Sequence, residues 1–404
     1  MLACMSALAL HHSHAAPAPS CLRPATWTTL EQTPARTVAA ADLMADMVKR
    51  DVVLLGEYHD EDDYHRWQAQ TLSMLHLLRP NMVIGFEMFP RRVQAALDRW
   101  VAGELTIKQF MEQSEWSKVW NTPLELYLPL FQFARINRIP MIALNVDSEL
   151  NKAIRAKGWD AVPESQREGV TKPAPPTEAY RDFLFEVYAQ HASAHGAHGA
   201  HGAKESKEAK TGKPRKSDSG FRYFVESQTT WDRAMAEALA RPVQSAKAAK
   251  ADDKLLVVGI MGSGHIRFDH GVPHQLHDLG IKNVGSLLAM SHDADCKEIR
   301  NGLADAVFAL PSQVMEKPEP PRLGIQMEEL EGTVRIVNVT AGSLAEKSGL
   351  KAGDRLLEIG GMAVTATTPV IASVRRQQAG AWLPMQVKRG DETLDIVVKF
   401  PVSR

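Results

Sequence analysis

Four short apolar runs that each end in a polar group constrain the fold of this chain more than any other feature. The runs are DVVLL at 51–55, MVIG at 82–85, MIAL at 141–144 and LLVVGI at 255–260. They lack the polar alternation of a half-exposed strand, which is typical of strands buried on both faces of a parallel sheet. Helical patterns at 64–78, 91–101 and 221–239 separate them. The sequence therefore predicts an α/β domain with a mainly parallel sheet flanked by helices.

Polar side chains follow each of the four runs. Glu57 and His59 follow the first run, Glu87 the second, Asn145 the third and His265 the fourth. Because ligands of open α/β sheets bind outside the carboxyl ends of the strands, we expect these side chains to meet at one edge of the sheet.

This set of carboxylates and imidazoles is compatible with three chemistries. His59, His265 and Glu87 could ligate a divalent metal such as zinc or manganese that activates water. Glu57, His59, Glu87 and His265 could instead serve as acid and base without a metal. A neutral imidazole at the mouth of a cleft could also ligate haem iron.

Composition excludes several other classes of function. The 404 residues are enough for two or three domains with separate cores. A formal net charge of -1 gives no electrostatic basis for binding nucleic acid or anionic lipid. The sequence contains no GxSxG elbow, Walker loop or Rossmann GxGxxG, and no stretch of about 20 apolar residues that could span a membrane.

The N-terminus predicts export. Residues 1–10 read MLACMSALAL and are followed by small residues, so 1–20 is expected to be a processed signal segment. Removal of Cys4 would leave Cys21 and Cys296 as an even pair, which an oxidising compartment permits to bond. Lipid attachment at Cys4 or Cys21 is an open alternative, and the expected location is the periplasm or the outer membrane.

Two segments divide the rest of the chain. Residues 191–219 combine a His-Gly-Ala repeat with a mixed-charge tract, which predicts a disordered insertion within a first domain at 21–310. Its histidines could bind metal or haem loosely, although a solvated loop is the simpler interpretation. The proline-rich segment 311–320 predicts a linker to a β-rich domain at 321–404.

The C-terminal segment closely resembles a PDZ domain over about 80 residues, and AGSLAEKSGLKAGDRLLEIGG is its most specific stretch. The resemblance implies that Leu323, Gly324 and Ile325 form a carboxylate-binding loop. It also implies that the next strand accepts a peptide as an added strand, with Val370 and Val374 lining the groove. The expected partner is a protein C-terminus or an extended strand; a spacer or dimerisation module is the alternative.

The first domain resembles the ChaN-type haem-binding family of bacterial envelope proteins. The resemblance rests on LLGEYHDEDDYHRWQ, GFEMFPRRVQAALDRW, FARINRIPMIALN, FVESQTTWDRAMAEAL and VVGIMGSGHIRFDHGVP, and on Trp116 and Trp120. It implies an α/β fold and haem binding during iron acquisition, in some members as a lipoprotein or as a homodimer. A more distant similarity to erythromycin esterases and TraB/Tiki-type metalloproteins implies a metal-dependent hydrolase as the alternative.

The resemblance places the cofactor near His265 in Gly-Ser-Gly-His. Members commonly have a tyrosine soon after this histidine, but here Arg267 and His270 occupy that region, so His265 or His270 would be the iron ligand. Arg267 could pair with a haem propionate, and Glu57, His59 and Glu87 would surround the site. Three hypotheses follow: an exported haem-binding protein with a PDZ module, a metal-dependent hydrolase, and a PDZ scaffold with a degenerate enzyme domain.

Overall fold

The computed structural model of this chain describes residues 21–30, 35–120, 122–195, 214–250, 254–311, 321–330 and 332–402. The chain divides into two compact units, residues 1–312 and 313–404. The predicted signal segment at 1–20 lies outside the described residues, as does the predicted linker apart from Pro311. No helix in the described ranges is long and apolar enough to cross a membrane.

The described part of the first unit contains one sheet of eight strands. They are β1 (Trp27–Thr29), β2 (Arg36–Val38), β3 (Val52–Glu57), β4 (Met82–Pro90), β5 (Met141–Asn145), β6 (Leu256–Gly262), β7 (Val284–Ser291) and β8 (Ala306–Leu310). The strand order is β2-β1-β8-β7-β3-β6-β4-β5. Pairing is parallel from β8 through β5 and antiparallel only where β1 and β2 join the β8 edge. The predicted mainly parallel sheet is confirmed.

Helices cover both faces of this sheet. They are α1 (Ala40–Met47), α2 (Asp62–Leu78), α3 (Gln94–Val101), α4 (Ile107–Gln113), α5 (Trp116–Val119), α6 (Leu124–Ile136), α7 (Ser148–Lys157), α8 (Glu178–His195), α9 (Ser219–Ala248) and α10 (Val272–Asp278). On one face Leu55 belongs to the same apolar core as Leu72 of α2 and Phe131 of α6. On the other face Leu54 shares a core with Leu239 of α9. Burial of alternate strand residues on opposite faces explains the uninterrupted apolar runs.

The predicted disordered insertion at 191–219 is partly wrong at its edges. Helix α8 continues to His195, so residues 191–195 are helical, and α9 begins at Ser219. The alanine-rich sequence HASAH favours continuation of a helix because alanine has the highest intrinsic helix propensity. Residues 196–213, with most of the His-Gly-Ala repeat, lie outside the described residues.

A disulfide joins Cys21 to Cys296, with Cα atoms 5.6 Å apart and a sequence separation of 275. The proposed pairing of these two cysteines is confirmed. The bond ties the chain just before β1 to the segment between β7 and β8, where β1 pairs with β8. It therefore closes nearly the whole first unit into one covalent loop.

The second unit is a small antiparallel β structure with two described helices. Its strands are β9 (Ile325–Leu330), β10 (Thr333–Val339), β11 (Arg355–Ile359), β12 (Met362–Ala363), β13 (Trp382–Arg389) and β14 (Glu392–Lys399), and its helices are α11 (Leu344–Lys347) and α12 (Thr367–Arg375). The main strand order is β14-β13-β11-β10-β9, with β12 beside β11. Strand β9 therefore lies at an open edge, as the predicted β-rich module requires.

Candidate functional site

A buried carboxylate at the end of β3 collects three polar side chains. Tyr127 Oη donates to Glu57 Oε1 at 2.5 Å, and His59 Nδ1 lies 2.8 Å from the same oxygen. His65 Nδ1 is 3.2 Å from Glu57 Oε2. Burial alone would raise the pKa of Glu57, but the interactions with His59 and His65 outweigh it and lower the pKa to about 2. Glu57 is therefore ionised at neutral pH.

A second carboxylate–imidazole pair approaches from α9 and the loop after β6. His265 Nδ1 lies 2.6 Å from Asp232 Oδ1, and Tyr180 Oη donates to Asp232 Oδ2 at 2.8 Å. Burial would lower the pKa of His265, but the negative charges of Glu87 and Asp232 outweigh it and raise the pKa to about 9. The His265 imidazole is thus protonated at neutral pH.

Glu87 lies between the two pairs. Its Oε2 accepts from the backbone N–H of Gly262 at 2.6 Å, whereas Oε1 is 3.6 Å from His265 Nε2 and has no hydrogen-bond partner among the described residues. A Cβ at Gly262 would lie 3.1 Å from His59 Nε2 and 3.7 Å from Glu87 Oε2, so the absence of a side chain lets His59 approach the carboxylate. Asn145 Nδ2 donates to the Glu87 carbonyl oxygen at 3.0 Å.

These contacts define the strand-end cluster, which comprises Glu57, His59, His65, Glu87, Asp232 and His265. Two histidines of the cluster have the same environment. Nδ1 of His59 contacts Glu57 and Nδ1 of His265 contacts Asp232, and each of these buried carboxylates also accepts a hydrogen bond from a tyrosine. This arrangement leaves Nε2 of each ring on the side of Glu87, as in metal sites where a carboxylate orients the ligating histidine. No group of three or more His, Cys, Asp or Glu side chains in the described ranges is, however, arranged to hold a metal ion.

A separate set of side chains lies in the turns after β3 and β6, and we call this set the exposed loop. It comprises Tyr58, which is exposed, and Arg267, Phe268 and His270, which are half-buried. Arg267 Nη2 donates to Tyr58 Oη at 3.1 Å. The Phe268 and His270 rings are 5.9 Å apart, and Tyr58 is 45% exposed. Phe268 has a left-handed φ of 58°, a backbone strain that is commonly kept at functional sites.

His270 differs from His265 in charge and access. It is half-buried, its ring stacks on Tyr180 with centroids 5.1 Å apart, and burial lowers its pKa. The His270 imidazole is therefore neutral at neutral pH and could ligate a metal. His265, in contrast, is buried and protonated within the strand-end cluster.

The predicted site residues thus separate into two groups. Glu57, His59, Glu87 and His265 lie together at the carboxyl edge, whereas Arg267 and His270 lie on the exposed loop. Sequence reasoning missed Tyr127, Tyr180 and Tyr58, because nothing in their local patterns separates them from ordinary core or surface aromatics. His65 was likewise not among the predicted site residues, although its Nδ1 contacts Glu57.

The second unit presents a groove of about 270 Å³ between β9 and α12. The five predicted peptide-binding residues line it, and they are joined by other apolar side chains, including Met327 and Ile371. Gly324 has a φ of 79°, and a Cβ at this position would overlap Ser343 Cβ. Only glycine is therefore compatible with this loop. Arg322 and Arg375 place positive charge at the groove.

Comparison with known proteins identifies both units. The family model described as "Haem-binding uptake, Tiki superfamily, ChaN" matches residues 43–276, and a PDZ domain model matches residues 321–400. The HhoB protein of Synechocystis sp., whose name places it among serine proteases, is 41% identical over 66 residues, which are 16% of each chain. This chain thus spans about a sixth of the length of that relative.

Solved structures show similarity at lower identity. A structure described as cofacial haem binding to ChaN of Campylobacter jejuni is 18% identical, with a TM-score of 0.49; the match covers 70% of this chain and 96% of that chain. The HtrA-type protease AlgW with a decapeptide is 17% identical, with a TM-score of 0.19; the match covers 20% of this chain and 29% of that chain.

Proposed function

This chain belongs to the ChaN family of haem-binding uptake proteins in the Tiki superfamily, and on that premise we propose that its first unit binds haem at the exposed loop. Family membership supports the ligand, and the neutral, accessible imidazole of His270 supports the place. Haem iron would supply a coordination position for this nitrogen.

The side chains of the exposed loop fit a porphyrin. The His270 ring stacks on Tyr180, and burial lowers its pKa, which keeps the ring neutral at neutral pH. Tyr58 offers an exposed aromatic ring. Positive charge for propionates comes from Arg267, whose Nη1 lies 3.8 Å from Glu298 Oε2, and from Arg300, whose guanidinium lies 4.6 Å above the Phe268 ring. We therefore assign His270 as the iron ligand and Arg267 as a propionate partner.

The strand-end cluster is a poorer place for haem. The Glu57 and Glu87 side chains are fully buried, and Nδ1 of His265 is held by Asp232. Iron would have to displace the proton that keeps the pKa of His265 at about 9. His265, the histidine of the Gly-Ser-Gly-His motif, therefore acts indirectly. It contacts Asp232, Asp232 accepts a hydrogen bond from Tyr180, and Tyr180 stacks on His270 and so positions the exposed loop.

Titration of the full-length protein with hemin, followed at the Soret band, tests this assignment. We expect saturable hemin binding in the wild type. The affinity of His270→Ala should be lower on the order of tenfold to hundredfold, because removing the ligand itself should cost at least as much affinity as removing a residue that orients a ligand. His265→Gln should bind hemin nearly as well as the wild type.

The control is His277→Ala, which removes a half-buried imidazole from α10 without touching the exposed loop. Unsaturable binding in the wild type would contradict haem binding altogether. Equal loss in His277→Ala and His270→Ala would show non-specific binding to surface imidazoles.

A metal-dependent hydrolase is the second candidate, and one observation favours it. Glu87 Oε1 is buried and has no hydrogen-bond partner among the described residues, and it lies beside two imidazoles whose Nδ1 atoms contact carboxylates. A buried, unpaired carboxylate oxygen is costly unless a cation or proton satisfies it. His59, His265 and Glu87 would be the ligands and Glu57 would orient His59, but these side chains are not arranged to hold an ion in the described structure. Metal binding would therefore require them to move closer together and His265 to release its proton.

Equilibrium dialysis against zinc and manganese, with metal content measured by mass spectrometry, separates this candidate from haem binding. The hydrolase hypothesis expects one equivalent of metal that Glu87→Gln abolishes and His270→Ala retains. Absence of stoichiometric metal in the wild type would exclude the hydrolase hypothesis. If neither hemin nor metal binds while a peptide does, the chain is a PDZ scaffold with a degenerate first unit.

For the PDZ domain we propose that the groove binds the free C-terminus of a partner protein. The open edge of β9 can pair with an extended peptide, and the loop at Gly324 offers backbone N–H groups to the terminal carboxylate. Ile325 and Met327 alternate with exposed Gln326 along β9 and line the groove. The groove should therefore favour apolar residues at the last and third-from-last positions of the peptide.

Fluorescence anisotropy with a labelled peptide ending in alternate apolar residues tests this proposal on the full-length protein. Val370→Arg should weaken binding on the order of a hundredfold, because it fills the groove with a long cation. An amidated copy of the peptide should bind poorly, since it lacks the terminal carboxylate. Equal affinity for the free and amidated peptides would contradict recognition of a C-terminus.

We also propose that the protein is exported to the bacterial envelope and acts there in haem or iron acquisition. The disulfide between Cys21 and Cys296 supports an oxidising compartment. The bond occupies the sulfur of Cys21, so Cys21 cannot carry a lipid in this state. Cell fractionation tests the location, and non-reducing electrophoresis tests the disulfide. A cytoplasmic protein with both cysteines reduced would contradict export. Homodimer formation stays a prediction, which sedimentation with and without hemin tests.

A further inference from the structure

The two walls of the peptide groove run in opposite directions, and this fixes which residues lie at each end. Strand β9 begins at Ile325, next to the loop at Gly324, and ends at Leu330. Near its end, Glu329 Oε2 accepts hydrogen bonds from the backbone N–H of Thr367 at 2.9 Å and from Thr367 Oγ1 at 3.3 Å. Thr367 is the first residue of α12. The end of β9 therefore lies beside the start of α12, and the loop at Gly324 lies toward the end of this helix.

The groove has opposite charge at these two ends. Among the described residues that line it, the charged ones are Arg322, just before the loop, and Arg375, the last residue of α12. Both are cations, so the end of the groove that would meet a terminal carboxylate is positive. The other end carries the carboxylate of Glu329, which is exposed to solvent. Residues 360–374 contain no charged side chain, so α12 brings no cation to this end.

Glu328 is the neighbouring carboxylate on β9, but the pairing with β10 distinguishes the two residues. Arg335 lies opposite Glu328, and the apolar Val334 lies opposite Glu329. Because successive side chains of a strand point to opposite faces, Glu328 shares a face with Arg335, whereas Glu329 shares the face of the groove-lining Met327. A cation across the strand pair therefore offsets the charge of Glu328, and the charge of Glu329 stays available on the groove side.

A peptide added to β9 would place one of its own side chains opposite Glu329. The proposed binding mode sets the last residue of the peptide at the loop, opposite Ile325, with the peptide antiparallel to β9. Side chains on one face recur at every second residue, so the third-from-last residue lies opposite Met327 and the fifth-from-last opposite Glu329. Directly opposite side chains have Cβ atoms about 5 Å apart, which is within reach of an ion pair.

We propose that Glu329 selects partner proteins with a lysine or arginine at the fifth position from the C-terminus. This selectivity rests on the proposed binding of a C-terminus in the groove and adds a position to it. The cation would pair with Glu329, while the terminal carboxylate would meet the positive end at Arg322 and Arg375. A peptide bound in the reverse direction would bring like charges together at both ends, so the same charges also fix its orientation.

Fluorescence anisotropy on the full-length protein tests the proposal with three labelled peptides. They share apolar residues at the last and third-from-last positions and differ only at the fifth from last, which is lysine, glutamine or glutamate. We expect the lysine peptide to bind roughly three- to tenfold more tightly than the glutamate peptide, because opposite charges attract and like charges repel across a strand pair. The glutamine peptide should lie between them, and the preference should shrink at high salt because the pair is exposed.

Two variants of Glu329 test the role of its charge. Glu329→Gln should remove most of the preference, and Glu329→Lys should reverse it. Glutamine keeps an oxygen that can accept from Thr367, so Glu329→Gln tests the charge even if Glu329→Lys does not fold. The matched control is Glu328→Gln, which removes the neighbouring carboxylate on the other face of β9 and should retain the preference.

Two results would overturn the proposal and leave recognition of a C-terminus intact. One is equal affinity of the wild type for the lysine and glutamate peptides. The other is an equal loss of preference in Glu328→Gln and Glu329→Gln, which would show a general effect of negative charge rather than a contact with Glu329. Absence of binding by all three peptides would instead contradict the proposed function of the groove, and the selectivity with it.

Discussion

Asp232→Asn tests the electrostatic account of the strand-end cluster. The substitution keeps the shape of the side chain but removes the negative charge 2.6 Å from His265 Nδ1. Two carboxylates, those of Glu87 and Asp232, raise the pKa of His265, and the substitution leaves only that of Glu87 charged. We expect the pKa of His265 to fall from about 9 toward or below its ordinary value near 6.5, because burial of the ring is less well offset.

The expected loss of stability follows from the same pKa. A rise from near 6.5 to about 9 corresponds to about 3 kcal/mol in favour of the folded protein, at about 1.4 kcal/mol per pKa unit. Because the folded pKa is raised, this stabilisation is fully present below pH about 6.5 and disappears as the pH rises through about 9. Asp232→Asn should therefore lower the free energy of unfolding by roughly 1–3 kcal/mol at pH 6 and by less at pH 10.

Two measurements check this prediction. NMR titration of the His265 ring protons gives its pKa in each variant, and urea unfolding at several pH values gives the free energy. Tyr180→Phe is the matched control, because it removes a hydrogen bond to Asp232 but leaves the charge in place. An unchanged His265 pKa in Asp232→Asn, or a loss of stability that is constant between pH 6 and pH 10, would refute the reasoning.

Three further predictions concern other parts of the molecule. Cys296→Ser should lower the free energy of unfolding by roughly 3–5 kcal/mol, since it opens a loop of 275 residues. Thermal unfolding of the wild type with and without reductant, and of the variant, measures this loss. Equal melting temperatures for the oxidised wild type and the variant would contradict it. Gly324→Ala should destabilise the second unit by about 1–3 kcal/mol and weaken peptide binding, because φ at this position is 79° and the added methyl group would overlap Ser343. Limited proteolysis measures the loss of stability, and fluorescence anisotropy measures the loss of peptide affinity. Tyr127→Phe should raise the pKa of Glu57 above about 2 by removing a donor, so acid unfolding should begin at higher pH; coincident acid transitions would argue against this role.

The sheet and its polar edge could be predicted from the sequence because both depend on local patterns. Uninterrupted apolar runs indicate strands buried on both faces, and the residue after each run must lie at the carboxyl edge of a parallel sheet. Glu57, Glu87 and His265 follow from that rule without further information. The PDZ groove was predictable through the resemblance to PDZ domains, which placed the loop at Gly324 and the helix with Val370 and Val374 along one groove.

The partners of these residues were not predictable, because they come from helices far along the chain. Tyr127 on α6 and Tyr180 on α8 reach their carboxylates only through the packing of helices on opposite faces of the sheet. The different environments of His265 and His270 depend on the same packing. They are five positions apart in sequence, yet His265 is buried against Asp232 whereas His270 is half-buried and stacks on Tyr180.

Electron paramagnetic resonance of the hemin-loaded, full-length protein tests the central claim, that the exposed loop rather than the strand-end cluster holds haem. The account predicts a signal distinct from free hemin that is lost or altered in His270→Ala and retained in His265→Gln. A signal that depends on His265 and is indifferent to His270 would place the iron in the strand-end cluster and contradict the account.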